Sequence, residues 1–165
     1  MVLTKPELIA LLQNDVRIFL HLAGKVTPEM LDYRPTPGQR SMLELVRYHS
    51  MMGPTIVEAV IAGRFDEAAW TAAEQTATAR SFEGALTALA GHAGWYADAI
   101  GKMSDDDLRA EVDVFGVTSR GAHLVTWVLN GGMAYRMQLF LYLKSCGRSE
   151  LNTSNLWSGV DPTPA

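Results

Sequence analysis

AYRMQLFLYLKSCG, Ala134 to Gly147, sets Arg136, Gln138 and Lys144 in a mostly apolar run and closes on glycine. Extended back towards Ser119, it predicts a long helix over about Ser119 to Cys146 that is apolar on more than one face. Such a helix lies centrally in a bundle or faces another subunit. Arg136 is the only full charge between Leu124 and Leu143, so it must pair with an acid or reach a surface. A structural ion pair or a dimer contact is the expected role. Gln138 is expected to make hydrogen bonds within the bundle.

Three more helices follow from hydrophobic spacing. Leu8, Leu11, Leu12, Val16, Phe19 and Leu22 recur at three- and four-residue intervals, which places them on one helical face. Thr4 and Glu7 form a capping-box pattern before this stripe, and Gly24 ends it. Ser41 and Glu44 repeat that pattern ahead of Met42, Leu45, Val46, His49, Gly53, Ile56, Val57 and Val60, with Gly63 as the stop. Pro54 falls inside this second helix and predicts a kink about one turn beyond His49. A third stripe, Phe82, Leu86, Leu89, Ala93, Tyr96 and Ile100, starts at Ser81. Between the first two helices, Pro28, Pro35, Pro37 and Gly38 forbid a continuous helix. Asp105 to Asp107 read as the cap of a short turn, and Glu111 to Phe115 as a brief extended segment. The expectation is an all-α four-helix bundle over residues 1–148 with long connections. Residues 149–165 read as a polar tail, anchored at most by Leu156 and Trp157.

Composition narrows the function. Charged residues make up 19% of the chain and hydrophobic residues 48%, which suggests that a partner subunit covers part of the surface. The net charge is -4 with scattered basic residues, so nucleic acid is not an expected partner. Leu124 to Leu143 is long enough to span a bilayer. Asn130, Arg136 and Gln138 would need partners there and Gly131-Gly132 interrupts the run, so no membrane partner is expected. The amino terminus does not read as a signal peptide. The single Cys146 excludes an intrachain disulfide and points to a reducing, cytoplasmic setting.

The 134–147 stretch resembles the last-helix signature of the DinB-like proteins, roughly His-x-x-x-His-Arg-Gly-Gln-Leu followed by Tyr-Leu-Arg and a closing Gly. Arg136, Gln138, Leu139, Tyr142, Leu143, Lys144 and Gly147 match it. Tyr33-x-Pro35 with Ser41, Glu44, Leu45 and His49 resembles the family's loop and the start of its second helix. The resemblance implies a bundle with crossover connections and, in the family pattern, three histidines around a divalent ion that activates a thiol or hydrolytic reaction. Histidines four apart on one helix can approach one cation while a facing helix supplies the third. Here the two last-helix positions hold Gly131 and Tyr135, and only His49 matches. A phenol with an ordinary pKa near 10 is a poor ligand at neutral pH. His123 is about 12 Å along the axis from Gly131, too far to substitute.

The leading expectation is therefore a homodimeric DinB-like protein without the three-histidine centre and with no cofactor. It would bind a small molecule or serve a structural role, its pocket near His49, Gly131 and Tyr135, with Asp15 and His92 within reach. Trp95 and Trp127, together with the methionines, are further candidates for an apolar lining. His49 by itself reads as a core histidine hydrogen-bonded to Tyr135 or a carboxylate. The alternative is a thiol transferase or hydrolase using Zn or Ni in a site rebuilt from His49, His92 and Asp15. A third reading is a scaffold built on the apolar surface of the last helix. Cys146, at a helix C-terminus, is not an expected nucleophile.

Overall fold

The computed structural model describes residues 3–162. Helix α1 spans Lys5–Ala23, α2 Met42–Ala62, α3 Glu67–Thr78, α4 Phe82–Gly101 and α5 Asp105–Arg109. A hairpin of β1 (Glu111–Asp113) and β2 (Val117–Ser119) follows, then α6 (Arg120–His123), a π-helical segment Leu124–Leu129 and α7 (Asn130–Ser145).

Caps set the helix starts. Glu7 accepts from the Thr4 amide at 2.7 Å and Glu44 from the Ser41 amide at 2.7 Å, closing both expected capping boxes. Ser81 caps α4, and Gly63 ends α2 with φ +75°, a conformation that favours glycine. The short turn is capped by Ser104, with Asp107 returning the hydrogen bond.

Four long elements make the bundle: α1, α2, α4 and the continuous α6–π–α7 rod. α1 packs on α4 and α7, and α2 packs on α4 and α7. Among the described residues the backbones of α1 and α2 do not run close together, nor do those of α4 and α7. The first and second bundle helices therefore sit diagonally, as do the third and fourth, and the 24–41 connection must cross an end of the bundle. It does so with Met42 and Leu43 amides bonded to the Tyr33 and Leu31 carbonyls. No helix among the described residues is long and apolar enough to cross a membrane.

The structure differs from the sequence expectation in five places. The 64–80 connection holds the helix α3, which buries only Ala77 fully; an alanine-rich helix lying outside the bundle needs no stripe of large apolar residues. The extended segment is half of a two-stranded hairpin turning at Gly116, whose φ is +98°. The last helix contains the π segment rather than running as uniform α-helix. Leu11 points out, 42% exposed. Residues 149–162 pack back on the bundle: Leu151, Asn155 and Leu156 are buried, whereas Trp157 is exposed.

Two apolar clusters fill the interior. One is built around Leu12, Ile56, Val60, Ile100 and Leu124, the other around Phe19, Leu45, Leu89, Leu139 and Leu143. Each of the four bundle elements places a polar residue between them.

Candidate functional site

That polar layer consists of Asp15 on α1, His49 on α2, His92 on α4 and Arg136 on α7, all buried. Arg136 Nη1 donates to Asp15 Oδ1 at 2.6 Å. Their approach depends on Gly132: a Cβ there would collide with the Asp15 carboxylate and come within 3.6 Å of the His49 ring. Burial pushes the Asp15 carboxyl up to about 6, with Arg136 pulling the other way.

His49 stacks on Phe19 with ring centroids 4.1 Å apart and lies 6.1 Å from Tyr135. Its Nδ1 is buried without a hydrogen-bond partner, so the expected bond to Tyr135 or a carboxylate is absent. Burial, aided by His92, lowers its pKa to about 3. Burial likewise lowers His92 to about 4. His92 Nε2 lies 3.2 Å from the Ser50 carbonyl, and Arg80 Nη1 donates to that same oxygen at 2.9 Å. Pro54 explains the pairing. It has no amide to give the carbonyl four residues earlier, which is Ser50, so side chains from outside α2 take the bond. Gly53, the preceding residue, leaves room for the Tyr96 hydroxyl against the α2 backbone.

Outside this layer, between α2 and α7, lies an open cavity of about 520 Å³. Gly131 and Tyr135 line it, with Met52 and Ile56 from α2, and no charged side chain takes part. A Cβ on Gly131 would meet only Met52, at 3.4 Å. Six rings edge the cavity in an unbroken series. Tyr135 lies 5.2 Å from Tyr48, and Tyr48 6.0 Å from Trp70. Trp70 is 5.6 Å from Phe65, Phe65 5.2 Å from Phe115 and Phe115 4.9 Å from Trp127. The series starts and ends on the last rod, with Gly131 midway between Trp127 and Tyr135. Of the expected lining residues, Trp95 is not among those that line the cavity and packs 5.8 Å from Tyr96. His49, Asp15 and His92 are buried and do not line the cavity.

No family model matches this sequence, and no curated protein does. Solved structures do. A DinB-like protein from Bacillus cereus ATCC 10987 superposes with a TM-score of 0.71 at 16% identity, covering 89% of this chain and 95% of that one. The DinB-like protein YjoA from Bacillus subtilis gives 0.67 at 16% identity, over 88% and 95%. The fold is the DinB-like fold.

Within that DinB-like bundle, the donor set does not fit a divalent ion. Asp15 is engaged by Arg136, and His92 Nε2 faces a carbonyl. The last helix offers Gly131, without a side chain, and Tyr135. Among the described residues no group of three His, Cys, Asp or Glu side chains is placed to hold a metal. His123 sits elsewhere, its Nε2 3.2 Å from the Val112 carbonyl. Gln138 donates to the Tyr142 hydroxyl at 2.6 Å, and that hydroxyl donates to the Arg40 carbonyl at 3.0 Å. These motif residues fix the start of α2. The thiol of Cys146 is pushed up by burial, which disfavours the nucleophilic thiolate. The aromatic series escaped the sequence reading because Phe65, Trp70 and Phe115 lie in connections without a bundle period.

Proposed function

We propose that this DinB-like protein binds a small organic molecule in the aromatic cavity beside Gly131. The layer of Asp15, Arg136, His49 and His92 then serves as structural support. The observation that carries the reading is an uncharged cavity of about 520 Å³ between α2 and α7, within the size range of small-molecule sites. Gly131 leaves empty the volume that any larger side chain would occupy. A thiol transferase or hydrolase running on His49, His92 and Asp15 has less support, because each donor that could be recruited is neutralised, capped or unable to converge.

Fluorescence titration with phenylnaphthylamine, a neutral aromatic probe, tests the reading. Saturable binding on the order of 10 μM, lost in Gly131→Leu, is expected. Binding that survives the substitution, or none in the parent, overturns it. We further propose a homodimer in the cytoplasm. Exposed Met137 and Leu141 on α7 support the former, and the lone Cys146 the latter. Sedimentation equilibrium at twice the chain mass checks the dimer.

A further inference from the structure

We infer that the occupant of this cavity is an aryl acid: a flat aromatic body carrying one carboxylate or sulfonate, the acid directed towards Arg40. The inference rests on the cavity reading above and names its ligand class. Six rings and no charged lining residue suit a planar apolar body, since rings pair by offset or edge contacts with other rings. Charge reaches the edge of the cavity at Tyr48. This ring lines the cavity and also a second recess of about 220 Å³ that contains Arg40, Arg47, Glu44 and Glu74. The Arg40 guanidinium sits 3.8 Å from the Tyr48 ring centroid.

Among the described residues Arg40 makes no ion pair. Glu44 is held by Arg34 at 3.3 Å and by the Ser41 amide, and Arg47 Nε is spent on the Arg80 carbonyl at 2.6 Å. Glu74 is the one acid of the recess outside any ion pair within the described residues. Arg40 is thus a cation at the edge of an aromatic box, its backbone pinned by the Tyr142 hydroxyl. An organic cation entering the box would meet that positive charge across one ring. An acid leaving the box past Tyr48 meets a fork of guanidinium donors.

The test compares two probes with one ring system, anilinonaphthalenesulfonate and the uncharged phenylnaphthylamine, titrated at low salt. The proteins are the parent, Arg40→Gln, Arg40→Lys and Gly131→Leu, each checked for folding by circular dichroism. The sulfonate is expected to bind about fivefold tighter than the amine, an advantage that salt erodes, as for an exposed charge contact. Arg40→Gln should erase that advantage without changing amine binding, Arg40→Lys should restore part of it, and Gly131→Leu should remove both probes. Equal binding of the two probes, or an advantage indifferent to Arg40→Gln, overturns the aryl acid while leaving the cavity reading intact. Failure of both probes, or binding unmoved by Gly131→Leu, overturns the cavity reading and the inference with it.

Discussion

Gly131 and Gly132 are adjacent and chemically identical, yet they do opposite work. The Cβ position of Gly132 belongs to the Asp15 carboxylate, whereas that of Gly131 opens on Met52 and the cavity. Gly132→Ala should therefore destabilise the fold by about 2–4 kcal/mol, through overpacking and strain on a buried ion pair. Gly131→Ala should be neutral or stabilising by about 0.5–1 kcal/mol, the helix-propensity gain. Urea denaturation of both variants checks the contrast, and equal effects would contradict it. The sequence showed that this glycine pair interrupts an apolar run, but which of the two faces the core depends on the packing of α7 against Asp15. Acid behaviour follows from the same layer. His49 and His92 have folded pKa values of about 3 and 4, so their contribution is full above pH 6.5 and lost as pH falls. Asp15, raised to about 6, works the other way: its contribution is present below about pH 4 and lost as pH rises through 6. Near pH 5 two imidazoles oppose one carboxyl, so stability should fall on acidification by about 1.4 kcal/mol per pH unit. In His49→Phe the remaining pair cancels, and the pH 6 to 4.5 window should be nearly flat in denaturation midpoints.

At the scale of the elements, α2 shows how one residue orders its neighbours. Pro54 leaves the Ser50 carbonyl without a helical donor, and Arg80 and His92 complete it from the segment before α4 and from α4 itself. Arg80→Ala should cost about 1–2 kcal/mol in the parent. In a Pro54→Ala background the carbonyl regains an amide, and the same change should cost at least about 0.5 kcal/mol less. Additive effects in that double-mutant cycle would refute the link. Pro54 and its position one turn past His49 were legible in the sequence; the identity of the rescuing donors was not, because Arg80 lies in a connection. The starts of α1 and α2 were legible, since capping boxes are local chemistry; the short turn expected to be capped by Asp105 to Asp107 is capped by Ser104 instead. The π segment was not legible, because Leu124 to Leu129 has the composition of any apolar helix. It nevertheless carries Trp127 into the cavity wall, as π segments often do at functional places.

Across the whole molecule, two apolar clusters are joined through one layer to which every bundle element contributes a polar side chain. The motif in the last rod revealed the architecture because Arg136 holds it to Asp15, and Tyr142, itself bonded by Gln138, holds it to the start of α2. The carboxyl-terminal segment was harder to read. Its polarity suggests a tail, yet Leu151 and Leu156 are buried, Arg17 donates to the Ser158 and Gly159 carbonyls, and Trp157 lies 5.8 Å from the Arg136 guanidinium. Ending the chain at Arg148 should cost at least about 3 kcal/mol, the burial of two leucines, as read by thermal and urea unfolding. The central claim is that this layer is a closed ion pair with two neutral imidazoles, not a metal centre. Elemental analysis of untagged protein, incubated with Zn, Ni and Mn and then desalted, tests it most directly beside His49→Ala. The account predicts negligible metal in both folded proteins. About one ion per chain in the parent, absent from the variant, would contradict it.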